Sequence, residues 1–117
     1  MRLTEITYDA ARPIDGYGPG FFRVAGQVIE GAVLVTPWDA GPWGGLADMD
    51  APLSLAGRID VLFVGTGAEI AHAPPAFKAA LEAAGIGVEV MNSPAACRTY
   101  NVLLSEGRRI AVALLPV

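Results

Sequence analysis

Apolar positions in the first part of the chain follow the two-residue period of β-strands. Residues 21–24 and 27–35 form apolar runs joined at Ala25-Gly26, and this arrangement predicts a β-hairpin. Both faces of the second run are mostly apolar, so we expect that strand to be covered on both sides. The next segment, residues 36–45, holds two prolines and three glycines, which exclude a helix or a central strand. It predicts an ordered loop.

Apolar runs and helical periods alternate along the remainder of the chain. We predict strands at residues 59–64, 88–91 and 110–115, and helices at residues 74–85 and 93–106. The first helix begins at Pro74-Pro75, where missing N–H groups cost least, and the second at Ser93-Pro94, where we expect serine to be the N-cap. A right-handed strand–helix–strand connection makes the first two strands parallel. The pattern therefore predicts a layered α/β fold.

Composition and charge narrow the class of protein. The 117 residues suit one domain, which we expect to span residues 1–117. Twelve acidic residues against eight basic ones give a net charge of −4, which argues against a nucleic-acid partner. The chain has one cysteine, one histidine and no recognisable paired-carboxylate spacing. We therefore expect no disulfide framework, no metal site and no cofactor.

Two features of the sequence bear on where the protein acts. The segment Met1–Glu5 becomes acidic within five residues, so we do not expect a secretory signal peptide. The longest apolar runs, such as residues 110–117, are far shorter than the roughly 20 residues that span a bilayer. We expect a cytoplasmic protein without membrane insertion. The abundance of alanine, and of arginine over lysine, points to a GC-rich bacterial genome.

The carboxyl ends of the two parallel strands define a candidate ligand cleft, because ligands of open α/β sheets bind at that edge. Two loops converge there, and together they contribute Gly65, Thr66, Gly67, His72, Ser93, Cys97 and Arg98. The Gly65-Thr66-Gly67 turn is a weak nucleotide signal, since the third glycine of the dinucleotide fingerprint is absent. A small anion could rest on the N–H groups of the helix that begins at Ser93.

Cys97 is the candidate nucleophile of this cleft. Its place near a helix start, beside Arg98, favours a thiolate, and His72 is a candidate base for acyl or thiol chemistry. The alternative is that Cys97 is a small buried apolar residue and His72 a solvated loop residue. The sequence does not bring the two side chains within hydrogen-bond distance.

Trp38 and Trp43 are the candidate partner contacts. They lie in the loop rich in proline and glycine, where one interpretation has both rings covering the open end of the core. The other interpretation makes one of them an anchor for a partner protein. The second interpretation expects a Trp43→Ala variant that stays folded and loses binding.

The chain resembles a family of small uncharacterised α/β domains, which includes mitochondrial respiratory complex I assembly factor 3 and an adipogenesis-associated human relative. The motifs that carry the resemblance are Gly20-Phe21, Trp43, Gly65-Thr66-Gly67, Glu89-Val90-Met91, Ser93, Ala96-Cys97-Arg98-Thr99-Tyr100-Asn101 and Glu106-Gly107-Arg108. The resemblance implies a three-layer α/β fold with a central mixed sheet. It implies no catalytic residue, because no activity is established across the family, and its mitochondrial members act by binding other proteins.

Two function hypotheses follow from the residues and the resemblance. The favoured one is a non-catalytic protein-binding module of assembly-factor type, with a protein partner or self-association. The alternative is an enzyme or small-anion binder that uses the cleft between residues 65–72 and 93–98. In the second helix we expect the Asn101 amide to bind a backbone segment, and Arg98 to reach Glu69 or a ligand.

Overall fold

A computed structural model describes residues 12–117, and within them eight strands and three helices follow one another. The first five strands are β1 (Ile14–Gly18), β2 (Phe21–Val24), β3 (Gln27–Glu30), β4 (Val33–Val35) and β5 (Ala40–Pro42). They are followed by α1 (Asp50–Leu53), β6 (Val61–Thr66), α2 (Pro75–Ala83), β7 (Gly87–Met91), α3 (Ser93–Ser105) and β8 (Ile110–Leu115). The segment considered for a signal peptide lies outside the described residues.

The predicted hairpin is present, but its second strand is shorter than expected. Strands β2 and β3 pair in antiparallel fashion around Ala25 and Gly26, whose φ angles are 48° and 83°. The apolar run that continues from β3 is broken at Gly31, where φ is 81°. Residues 27–35 therefore form two strands in different sheets, and β3, with its exposed Val28, is not covered on both sides.

Five strands form a central mixed sheet in the order β5-β4-β8-β6-β7. Strands β6 and β7 are parallel, as predicted, with Val61 opposite Gly87. Strand β8 lies between β4 and β6, antiparallel to the first and parallel to the second. Strands β1, β2 and β3 form a separate three-stranded sheet.

The central sheet is the middle of three layers, which confirms the architecture that the resemblance implied. Alternate residues of β8 point to opposite faces, as in any strand. Ile110, Val112 and Leu114 pack in a core with α3 and the small sheet. Ala111 and Ala113 pack in a second core with α1 and α2.

The predicted loop at residues 36–45 contains the short strand β5. This strand is at an edge of the sheet, where Pro42 removes no hydrogen bond from a central ladder. The sequence pattern did not predict the four-residue helix α1. No helix within residues 12–117 is long and apolar enough to cross a membrane.

The N-cap of α3 is Asn92, not Ser93 as predicted. Asn92 has extended backbone angles, and its Oδ1 accepts a hydrogen bond from the N–H of Ala95 at 2.8 Å. Ser93 is the first helical residue and Pro94 the second. The serine hydroxyl is thus free of capping and available for other contacts.

Candidate functional site

Four of the seven predicted cleft residues meet where β6 approaches the start of α3. We call this the β6–α3 junction and define it as Gly65, Thr66, Gly67 and Ser93. The fully buried Ser93 donates from Oγ to the carbonyl oxygen of Leu115 at 2.7 Å and accepts from the N–H of Gly67 at 2.9 Å. The N–H of Ser93 donates to the carbonyl oxygen of Gly67 at 2.7 Å. One hydroxyl therefore links β6, α3 and the end of β8.

Gly65 and Thr66 close the same junction. A Cβ at Gly65 would lie 2.7 Å from each of three atoms, namely Cα and Oγ of Ser93 and Cδ2 of Leu114. Thr66 Oγ1 accepts from the N–H of Ala71 at 2.9 Å and donates to the carbonyl oxygen of Glu69 at 2.9 Å. These residues bind one another and the neighbouring loop, so the junction is a packed contact.

The first turn of α3 has its N–H groups already occupied. Ser93 donates to Gly67, Ala95 donates to the Asn92 side chain, and Ala96 donates to the Asn92 carbonyl oxygen at 3.0 Å. Pro94 has no N–H. The donors on which a small anion could have rested are therefore used within the chain.

Cys97 is 4% exposed and belongs to the core between α3 and the central sheet. Burial raises the pKa of the Cys97 thiol from 9.0 to about 11, and this effect outweighs the opposite influence of the Arg98 charge. The direction is opposite to that of the predicted thiolate. The neutral thiol behaves as a small apolar residue, which was the alternative interpretation.

His72 and Arg98 lie apart from Cys97. His72 is exposed, and it lines a cavity with Val90 on the face of the sheet that α2 covers, whereas Cys97 lies in the core on the other face. Arg98 is exposed on α3 beside Val102, and no ion pair joins it to Glu69 within residues 12–117. The structure thus does not assemble the predicted Cys–His pair.

Within residues 12–117, no group of three or more His, Cys, Asp or Glu side chains could hold a metal ion.

The two tryptophans have different environments. Trp43 is 5% exposed, its ring packs at a tilt against Phe77, and its Nε1 donates to the carbonyl oxygen of Asp48 at 3.0 Å. It is a core residue, so Trp43→Ala would remove core packing and is unsuitable as a folded variant that has lost only binding.

Trp38 presents its ring at the surface. It is 36% exposed, and the Arg58 guanidinium lies 4.1 Å from the ring centroid. The Oγ1 of Thr36 accepts from the N–H groups of Trp38 at 3.3 Å and Asp39 at 2.9 Å, which fixes the turn that carries the ring. We call Trp38, Arg58 and the adjoining groove of about 270 Å³ between β5 and residues 51–58 the Trp38 surface.

Sequence reasoning missed three residues, one at the Trp38 surface and two at the cavity that contains His72. Arg58 gave no signal, because its contact with Trp38 joins residues 20 positions apart. Lys78 and Val90 border the cavity that contains His72, yet a single lysine on a helix and a valine in a strand are ordinary in sequence. Only the fold brings these side chains together.

The fold defines a class, that of small three-layer α/β domains with a mixed central sheet. A solution structure of a Bordetella pertussis protein, described as an Mth938-like domain, superposes with a TM-score of 0.77. It is 30% identical, and the match covers 99% of this chain and 92% of that one. Residues 14–115 match the model of a family described as "Protein of unknown function (DUF498/DUF598)", and the chain belongs to that family.

Two relatives match this chain over almost its whole length. An uncharacterised protein of Rhodobacter capsulatus is 52% identical over all of this chain and 94% of its own length. The mouse protein named NADH dehydrogenase [ubiquinone] 1 alpha subcomplex assembly factor 3 is 31% identical over 99% of this chain. This chain spans 66% of the mouse protein's length.

Proposed function

We propose that this protein is a non-catalytic protein-binding module that assists the assembly of a respiratory NADH dehydrogenase in the bacterial cytoplasm. The observation that carries the proposal is the match to the mouse assembly factor over almost the whole of this chain. The matched region includes surface residues as well as the core, so this chain and the mouse protein could share a binding surface.

The Trp38 surface supports a binding role. Tryptophan and arginine are the side chains most enriched among residues that dominate protein interfaces. Trp38 is held by a hydrogen-bonded turn at Thr36 and by the Arg58 stack, so little side-chain entropy is lost when a partner covers the ring. A fixed, exposed aromatic ring beside a groove fits a protein partner.

The packed β6–α3 junction also favours binding over catalysis. The enzyme hypothesis needs an accessible nucleophile and donors for a developing anion. Cys97 is buried with a raised pKa, and the N–H groups of the first turn of α3 are occupied. These observations support a binding role over the predicted thiol and anion chemistry of the cleft.

A complementation experiment in Rhodobacter capsulatus tests the proposal. The gene of the 52% identical relative is deleted, and assembled NADH dehydrogenase is measured by in-gel activity on native gels. We expect the deletion to lower the assembled complex, and this chain to restore it. Trp38→Ala should restore less than about half, whereas Tyr17→Ala, which truncates another exposed aromatic ring, should restore it fully.

Three results would contradict parts of the proposal. An unchanged amount of assembled complex after deletion would refute the assembly role. Full restoration by Trp38→Ala would exclude the Trp38 surface from it. Recovery of the protein in the membrane fraction after salt washing would refute the cytoplasmic location.

A further inference from the structure

The β7 edge is a free side of the central sheet. Strand β7 pairs with β6 on one side, and no strand of residues 12–117 pairs with its other side. The opposite edge of the sheet, β5, lies against β3 of the small sheet. Of the two ends of the central sheet, the β7 end is therefore the one open to an added strand.

The register identifies which backbone groups are open. The N–H of Gly87 donates to the carbonyl oxygen of Asp60, the residue before β6, at 2.9 Å. Because alternate residues of a strand direct their N–H and C=O groups to opposite sides, Glu89 and Met91 also face β6. Val88 and Val90 direct theirs outward. An extended segment laid beside β7 meets two donors and two acceptors there.

On the face that α2 covers, the side chains beside this edge are cationic and apolar, whereas Glu89 of β7 is exposed on the other face. A cavity of about 340 Å³ is lined by Val90 of β7, by residues 70–73 and by Lys78 of α2. Ile70 is 66% exposed at its rim, and the lining includes no acidic side chain. Among the described residues, no ion pair holds Lys78. In a chain of net charge −4, this is a local site for a negative group.

We propose that the β7 edge binds an extended acidic segment of a partner protein, which joins the central sheet as a sixth strand. The segment's backbone pairs with Val88 and Val90. An acidic side chain opposite Val90 lies on the face of Lys78 and of the His72 imidazole, and its apolar neighbours along the segment lie on the opposite face of the sheet. This inference rests on the proposed binding function and adds the chemistry of the partner at a second surface.

A second copy of this chain fits the β7 edge less well. Antiparallel pairing of two β7 strands through the open groups of Val88 and Val90 is most extensive when it is centred on Glu89. That register puts two exposed glutamates directly opposite each other, which is destabilising. The charge pattern therefore favours a different chain with an acidic segment over self-association.

Peptide titration followed by NMR tests this proposal. The probe is an acetylated peptide of about nine residues in which valine alternates with glutamate, and the comparison peptide alternates valine with lysine. We expect the acidic peptide to bind with a Kd below about 1 mM. It should shift the amide signals of Val88, Val90 and residues 70–73, and slow the hydrogen exchange of Val88 and Val90.

Two variants separate the backbone and charge contributions. Lys78→Glu should weaken binding of the acidic peptide about fivefold, whereas Arg23→Glu, an equal charge change on the outer face of β2, should leave it unchanged. Val90→Pro removes an outward N–H, a change that edge strands tolerate, and should abolish binding while the other amide signals keep their positions. If Val90→Pro unfolds the protein, the comparison of Lys78→Glu with Arg23→Glu decides whether the acidic peptide binds at the β7 edge.

The outcomes distinguish this inference from the proposed function. Absence of shifts at about 1 mM peptide, or equal binding by the Lys78→Glu variant, overturns the acidic-strand inference. So do concentration-dependent shifts of β7 without peptide, which would indicate a second copy. Shifts confined to the Trp38 surface also overturn it but leave the protein-binding function intact. A negative complementation result with positive peptide binding would instead refute only the assembly role.

Discussion

Cys97 shares the inward face of α3 with Ser93, Tyr100 and Leu104. These positions follow the spacing i, i+4, i+7 and i+11 of one helical stripe, so the burial of the thiol follows from the phase of the helix. The nearby positive charge of Arg98 and the helix start act on a thiol that water does not reach. Desolvation therefore determines its pKa.

The raised pKa of Cys97 predicts a loss of stability at alkaline pH. The pKa of the thiol is 9.0 in the unfolded chain and about 11 in the folded protein. The neutral thiol's contribution to the free energy of unfolding is therefore complete below pH 9.0 and is lost as the pH rises towards 11. We expect the free energy of unfolding of the wild type to fall by about 1–2 kcal/mol relative to Cys97→Ala across this range. Urea denaturation of both proteins from pH 8 to 11 measures the difference. Parallel pH curves for the two proteins would contradict the assigned burial.

Sequence alone could identify the residue types at the surface but not which of them face solvent. Trp38 and Trp43 lie in the same short loop and have the same side chain, and yet only Trp43 reaches Phe77 and the core. The difference depends on the path of β5 and on α1, which the sequence pattern did not predict. For Cys97, its place in the apolar stripe of α3 indicates burial, whereas its place near the helix start indicates a thiolate. The burial prevails.

Gly65 controls how closely β6 approaches α3. A methyl group at this position meets the backbone Cα of Ser93 at 2.7 Å, and a backbone atom cannot turn aside as a flexible side chain can. We expect Gly65→Ala to lower the free energy of unfolding by about 2–3 kcal/mol. Gly41→Ala in β5 is the matched control, since nothing lies within 4 Å of its added Cβ, and should change stability by less than about 0.5 kcal/mol. Equal effects of the two variants in chemical denaturation would refute a tight junction.

Most strands and helices could be predicted from the sequence because their ends are set by residues close to one another in the chain. The turn at Ala25-Gly26, the Pro74-Pro75 helix start and the glycine after each helix are read within a few residues. The prediction of Ser93 as the α3 cap is wrong because Asn92 and Ser93 are both good cap residues, and only the backbone angles decide between them. Burial of the serine hydroxyl needs Leu115, 22 residues away, and no local pattern encodes that contact.

Polar side chains of α3 add hydrogen bonds to the apolar core that attaches the small sheet. Asn101 accepts from the N–H of Ile14 at 2.9 Å and donates to its carbonyl oxygen at 2.8 Å, as predicted for an amide that binds backbone. The Tyr100 hydroxyl donates to the carbonyl oxygen of Arg12 at 3.1 Å. These contacts give a structural reason for the Tyr100-Asn101 part of the motif, which joins α3 to β1 and to the residue two positions before it.

Asn101→Ala should therefore loosen the small sheet before the central one. Loss of two hydrogen bonds to Ile14 is expected to cost about 2 kcal/mol of unfolding free energy. Amide hydrogen exchange of β1 and β2 should accelerate more than that of β6 and β8. Ser105→Ala, at an exposed position on the same helix, should leave both rates unchanged. A uniform acceleration over all strands would contradict a separately attached sheet.

The position of β8 has a consequence for biosynthesis. It is the middle strand of the central sheet, yet it follows every other strand of that sheet in the sequence. On the ribosome, β4–β5 and β6–β7 emerge as two strand pairs with no hydrogen bonds between them. The edges of β4 and β6 stay unpaired until residues 110–115 are available. The sheet closes only when those residues leave the exit tunnel. Chains that end before residue 110, made from truncated mRNA, would keep the edges of β4 and β6 unpaired. Such chains would bind holdase chaperones or aggregate.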